Sequence, residues 1–475
     1  MNTAQKVAKN TGVLFFAQLV SYPLGFLYVM YTARYLGTEQ FGVLSFALAF
    51  TGIFMVLANM GFGVLAVREI ARDKSLAKKY LGNVIPIKII LSIICFGLIV
   101  LSMKYLEYPE QTVRVVYFIT AGMLFNSFTE LFNSLFKAFE KMEYISIGTI
   151  GNKIIVLSLT LFAIFRGHGL VTISAIYSFS SLIVFIYTLF ICLWKYVVPV
   201  IEIDRDFWKD SVKKALPFFL SAVVNIIAFK IDIIMLSTIK GDEAVGYYSA
   251  AYRLLETLIF IPAALSTSLY PVFSNFHISA KNALNSAYEK SFKFLLITGL
   301  PIAVGTTLLA DRIILLIYGK EFYPAIPALQ ILIWTIPVIF LSYMLGTLFA
   351  SINRQVLSLK IGIFITALNI IINLLLIPKY SFMGAALATV ITYTASFILS
   401  FYFISRLTCK IPILNFTLGP LAANAIMGIF ILTFIEGNIF LLVASSAAIY
   451  LIILSLFGVV SKRDYNTLFK KGEFL

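Results

Sequence analysis

The chain has 475 residues, of which 60% are hydrophobic and only 12% charged, and its formal net charge is +15. A soluble domain carries about 25% charged residues, and the apolar runs here reach roughly 20 residues, enough to cross a bilayer as a helix. That excludes a soluble α/β enzyme, whose buried strands would show runs of about 4–8. In a membrane protein the positive charge marks loops on one side rather than nucleic-acid binding.

Fourteen spans are expected, at 10–34, 40–66, 80–103, 113–136, 145–165, 170–194, 214–238, 244–273, 286–310, 325–350, 355–377, 382–405, 414–435 and 438–460. The N-terminal "MNTAQKVAKN" leads into the first span with no small-residue cleavage site, so no removable signal is expected. The connections are short. None is large enough for a catalytic domain, so no enzyme is expected.

Between spans 1 and 2 stands "GTEQFGVLSFA", Gly37 to Ala47, and between spans 7 and 8 stands "GDEAVGYYSAA", Gly241 to Ala251. Gly37/Gly241, Glu39/Glu243, Gly42/Gly246, Ser45/Ser249 and Ala47/Ala251 are identical. Six spans separate the copies, so the repeat is parallel, about an axis along the membrane normal. Glu39 and Glu243 are expected to cap the helices they precede. The fold expected is therefore an all-α polytopic membrane protein of fourteen transmembrane helices. Two parallel-repeat six-helix lobes, 1–205 and 206–408, are followed by two helices and a tail, 409–475.

Alternate loops carry 24 basic residues on one side and 8 on the other, which orients both termini to the cytoplasm. Cys95, Cys192 and Cys409 spell no metal or redox motif, and His168 and His277 fall in short connections. Pro23, Pro262 and Pro337 lie inside spans 1, 8 and 10, where each removes a backbone hydrogen bond and can bend its helix.

Ionisable groups inside a membrane are costly and mark function or mutual pairing. At 1.5 Å per residue, Arg253 in span 8 sits about 14 Å deep, near the midplane. It is suited to bind a phosphate head group, or to pair with Glu256 three residues on. Lys153 in span 5 and Lys88 in span 3 sit roughly 12 Å from the other side. Lys153 is a second substrate-binding candidate, whereas Lys88 reads as a snorkelling lysine. Arg34, at the mouth of span 1, is a helix-end anchor and a further substrate-binding candidate.

Asp232 in span 7, Asn369 and Asn373 in span 11, and Thr389 in span 12 fall at similar depths. Their oxygens suit a hard monovalent cation, a candidate Na+ site, or else hydrogen-bond between helices. Asn126, Glu130, Asn133 and Lys137 form one stripe on span 4. There Glu130 is a coupling candidate, or pairs with Lys137 or with a group on a neighbouring helix. No cofactor is expected beyond Na+ or H+ coupling.

"ARYLGTEQFGVLSFALAF" at 33–50, "NMGFGVLAVREIAR" at 59–72, "AVGYYSAAYRL" at 244–254 and "NIIINLLLIPKYSFMGAALATVITY" at 369–393 resemble, in order, the signatures of the polysaccharide-biosynthesis flippases. That family lies in the multidrug/oligosaccharidyl-lipid/polysaccharide exporter superfamily. The resemblance implies alternating-access flipping of an undecaprenyl- or dolichyl-type glycan lipid in the cell membrane. It also implies monomeric action beside glycan polymerases or glycosyltransferases. Peptidoglycan-precursor flippases carry an Arg-Asp pair where "LGFLYV" places Tyr28 and Val29, which points away from that cargo. The Asp232 set resembles their sodium site, except that Asn373 replaces a carboxylate. A cation-coupled multidrug exporter is the alternative, although span 1 offers it no acidic residue. A membrane polymerase or glycosyltransferase would need larger loops.

Overall fold

The computed structural model of the chain describes residues 3–279, 281–408 and 413–459. Cys409, Lys410 and the tail beyond Val459 lie outside the described residues. Among the described residues all regular structure is helical, which follows from the membrane's demand that each backbone group be satisfied within its own segment. Eleven helical segments are long and apolar enough to cross a bilayer, or twelve when one bent pair is counted as a span.

Two of these segments are double. Helix α1 (Thr3–Asn59) has 57 residues and α14 (Gln355–Leu407) has 53. At 1.5 Å per residue each would run to about 80 Å or more, against a hydrocarbon core of about 30 Å. They break at Gly37 (φ 74°, ψ 179°) and Ser381 (φ 52°, ψ −135°), and each supplies two of the expected spans. The fourteen spans are thereby accounted for.

The chain forms two compact units, Met1–Ser249 and Ala250–Leu475. The first contains α1, α2 (Phe62–Arg72), α3 (Ala77–Tyr105), α4 (Glu110–Ala138), α5 (Met142–Phe165), α6 (Leu170–Lys195), α7 (Arg205–Lys240) and the start of α8 (Asp242–Leu258). Its core has two centres. One packs Phe62, Leu65, Leu81, Leu135 and Phe136; the other packs Phe46, Phe50, Ile99, Val115 and Ile173. The connection before α7 is fastened to the start of α3. The backbone N–H of Glu202 donates to the Gly82 carbonyl at 3.2 Å and that of Asp204 to Asn83 Oδ1 at 2.9 Å, while Lys79 pairs with Asp204 at 3.0 Å.

The second unit continues with α9 (Phe260–Ser279), α10 (Lys281–Leu308), α11 (Ala310–Ile317), α12 (Ile326–Leu332), α13 (Thr335–Ser351), α14, α15 (Ile413–Thr433) and α16 (Ile439–Leu456). Leu309, Met427, Ile431, Leu442, Tyr450 and Leu454 tie α10, α15 and α16 together. Tyr450 Oη also donates to the Ile297 carbonyl at 2.9 Å.

The three prolines differ. Span 8 breaks at Ile259, between α8 and α9, and span 10 bends by 48° between α12 and α13. Each break falls three to four residues before a proline, Pro262 or Pro337, which has no N–H to donate to the preceding turn. Pro23 leaves α1 helical, and the break in that helix is at Gly37.

Candidate functional site

The repeated hairpins adopt the same turn. Gly37 (φ 74°, ψ 179°) and Gly241 (φ 84°, ψ 176°) share a backbone conformation that is essentially restricted to glycine. The copies also cross each other reciprocally. A Cβ on Gly42 would run into the Asp242 carbonyl oxygen, and one on Gly246 into that of Thr38. Thr38 and Asp242 are themselves equivalent positions, so the contact repeats the duplication in space. Asp242 accepts from Ser237 Oγ at 2.7 Å, which lies 3.0 Å from Tyr108 Oη. Glu243 is taken by Tyr247 Oη at 2.7 Å.

Beyond its hairpin, the second copy carries Arg253. Its Nη1 is 2.6 Å from Glu256 Oε2, one turn on, so the pairing alternative is realised. Arg34 is exposed three residues before the Gly37 turn, at a helix end.

Beyond the first hairpin, span 2 breaks. Helix α1 ends at Asn59, Met60 (φ 44°) and Gly61 (φ 73°) are left-handed, and α2 begins at Phe62. Lys88 caps the broken end, donating to the Ala58 carbonyl at 3.3 Å and to Asn59 Oδ1 at 2.9 Å. Ser127 Oγ also donates to Asn59 Oδ1, at 2.6 Å. Lys88 is 2% exposed, so it does not snorkel. A helix C-terminus is the negative end of the macrodipole, and an ammonium there satisfies carbonyls that the break leaves open. Sequence reading missed this motif, although "NMG" at 59–61, amide followed by glycine inside an apolar run, is a break signal.

Glu130 and Lys153, expected to act separately, line one cavity of about 240 Å³ between α4, α5 and α6, together with Asn126, Asn133 and Asn152. Glu130 also borders a smaller cavity of about 170 Å³ that contains Lys88, Asn59 and Gly63. Among the described residues Glu130 forms no ion pair with Lys137, which corrects that half of the pairing alternative; the neighbouring-helix half has Lys88 of α3 on the same cavity.

The candidate sodium ligands are all buried. In the first unit, Asp232 accepts from Tyr248 Oη at 3.0 Å. In the second, Asn373 Nδ2 donates to Asn369 Oδ1 at 3.2 Å and Asn369 Nδ2 to Thr392 Oγ1 at 3.4 Å, while Thr389 Oγ1 donates to the Ala385 carbonyl at 2.9 Å. Tyr248 and Thr392 were not singled out in the sequence. Thr392 was within reach, since it lies one turn after Thr389 on the same helix face.

A family model described as "Polysaccharide biosynthesis protein" matches residues 7–277, more than half of the chain. The chain belongs to the polysaccharide biosynthesis protein family. A second model, MatE, matches residues 217–375. Similar proteins include one named "Probable low-salt glycan biosynthesis flippase Agl15" from Haloferax volcanii, 22% identical over 84% of this chain and 84% of that one. Another is "Capsular polysaccharide biosynthesis protein CapF" from Staphylococcus aureus, 23% identical over 84% of this chain and 100% of that one. The fold is that of the structure titled "Lipid II flippase MurJ, inward closed conformation" (TM-score 0.78, 18% identity, 95% of this chain and 98% of that one). An inward-facing MATE transporter of the MOP superfamily aligns at TM-score 0.68 with 19% identity, over 81% of this chain and 93% of that one. This member of the polysaccharide biosynthesis family is thus a multi-pass membrane transporter.

Proposed function

We propose that the chain flips a lipid-linked glycan, a polyprenyl phosphate or pyrophosphate carrying sugar, across the cytoplasmic membrane by alternating access, for cell-surface polysaccharide assembly. The observation that carries this reading is the family match over residues 7–277, in a chain that places cationic groups inside its helical units. The lobes are 1–205 and 206–408, with 409–475 appended and both termini cytoplasmic, as the loop charges favour. Arg253 takes the phosphate in exchange for Glu256. An apolar groove of about 460 Å³ along α10, α15 and α16, lined by Ile297, Pro301, Met427 and Tyr450 among others, suits the polyprenyl tail. Asp232 in the first unit, and Asn369, Asn373 and Thr389 in the second, are the candidate ligands for a coupling Na+. The transporter acts as a monomer alongside the enzymes that make and polymerise the glycan.

The MatE match over 217–375 favours the second reading, a cation-coupled exporter of small molecules. Proteoliposomes loaded with a fluorescent polyprenyl-linked sugar decide between them. Translocation of the glycolipid is expected, and its absence together with export of a small cationic drug would reverse the assignment. Asp232→Ala and Asn369→Ala should each abolish any sodium dependence of flipping. An unchanged sodium response removes the ion site and leaves the flippase reading standing.

A further inference from the structure

The cavity between α4, α5 and α6 is built unlike the other candidate sites of the first unit. One helical stripe of α4 presents Asn126, Thr129, Glu130 and Asn133 to it, and α5 presents Asn152 and Lys153. Two of its oxygens are buried without a hydrogen-bond partner: Thr129 Oγ1, on a residue 7% exposed, and Asn133 Oδ1. Each is a buried polar group in want of a partner, and on a polar cavity a guest that donates would supply one. Other polar groups nearby are spent locally. Thr149 donates to the Ile145 carbonyl at 2.9 Å and Thr188 to that of Val184 at 3.0 Å, so those hydroxyls are held by their own helices. Asn126 Nδ2 donates to Tyr177 Oη at 3.3 Å, which fixes the amide plane.

The chemistry of the lining narrows the guest. A bare cation would meet Lys153, and a phosphate would meet Glu130, so neither ion alone suits the set. One carboxylate and one ammonium balance in charge, and three amides offer donors and acceptors side by side. Such a lining matches a neutral polyol, whose vicinal hydroxyls donate and accept in turn. At about 240 Å³ the cavity falls below the roughly 300–1,000 Å³ of sites for drug-sized ligands, a volume for one sugar ring rather than a chain.

We propose that this cavity is a glycosyl subsite, taking one neutral sugar ring of the cargo, with Thr129 and Asn133 accepting from its hydroxyls. The proposal rests on the flippase reading and adds a recognition element for sugar that is separate from phosphate binding at Arg253.

The test uses the full chain in nanodiscs and four probes: polyprenyl diphosphate without sugar, and the same lipid bearing glucose, galactose or N-acetylglucosamine. At least one sugar-bearing probe should bind about fivefold or more tightly than the bare lipid, the scale of one or two neutral hydrogen bonds. Thr129→Val and Asn133→Leu should each erase that preference while leaving bare-lipid affinity unchanged, and Thr129→Ser should restore it. The conservative Thr129 pair guards against a folding artefact. Equal binding of all four lipids by the wild-type protein, or a preference that survives both variants, overturns the subsite alone. Failure to bind any of the four overturns the flippase reading as well.

Discussion

The two copies of the hairpin share their turn and differ in the residues beyond it. Gly37 and Gly241 take the same glycine-only backbone, and Gly42 and Gly246 press against each other's copy. Past that point the first copy runs into the Asn59–Gly61 break, capped by the buried Lys88. The second runs into Arg253, partly exposed and paired with Glu256. Duplication thus preserved the parts where backbone must approach backbone, which tolerate no side chain. The charged groups diverged, with one cation buried and holding a helix end and the other partly exposed and paired with a carboxylate.

The largest effect should come from the shared part. Gly42→Ala and Gly246→Ala each place a methyl group against a backbone carbonyl that cannot rotate away. Both are expected to reduce flipping by more than about tenfold, since a core misfit costs 1–3 kcal/mol or more. If only one of the two substitutions matters, the crossing is not reciprocal in function. Lys88→Met should come next, lowering stability by about 2–3 kcal/mol as the broken end of α1 loses its charged donor. Thermal unfolding in detergent reads this out, and an unchanged midpoint would mean that the break holds itself.

Arg253→Ala should weaken binding of polyprenyl diphosphate while leaving the unfolding midpoint nearly unchanged. Glu256→Gln should tighten that binding by about 1 kcal/mol or less, because this pair is only partly shielded from solvent. Opposite signs for these two substitutions would sharpen the contrast with Lys88; equal losses would make Arg253–Glu256 a structural pair instead.

The smallest effect lies away from both hairpins, in the clasp before α7. The Asp204 carboxyl is held below its ordinary value of 3.8, first by the Phe207 backbone N–H and then by Lys79. Asp73 is lowered as well, by the hydroxyl and backbone N–H of Ser75. A carboxyl whose folded-state pKa is depressed adds stability above its unfolded value, and that stability is lost as pH falls through the folded one. Asp204→Asn should therefore be less stable than wild type at pH 7, and the gap should close below the ordinary 3.8. A gap independent of pH would assign the effect to the capping geometry alone.

Much was legible without coordinates. The spans, the duplication and the Arg253–Glu256 pairing alternative all follow from period, hydropathy and helical spacing, because these are local properties of a chain that must satisfy its backbone within the bilayer. The break before Pro262 and the bend before Pro337 were legible for the same reason, whereas Pro23 shows that a missing N–H alone does not force one. Lys88 was misread, since one sequence cannot reveal that a lysine near a helix end meets a broken neighbour instead of water. Glu130 and Lys153 were both noticed, but their meeting on one cavity was not, because α4 and α5 contribute through helix packing that leaves no trace in spacing.

By itself the sequence determined that this chain is a duplicated, multi-helix membrane protein with glycines where the copies turn. Composition and periodicity carry that information because the bilayer imposes it segment by segment. Only the tertiary structure decided which glycines touch across the repeat, which lysine is buried, and which polar groups share a cavity. Those depend on contacts between residues as far apart in the chain as Thr38 and Gly246, where side-chain volume and helix crossing, rather than local preference, select the neighbour.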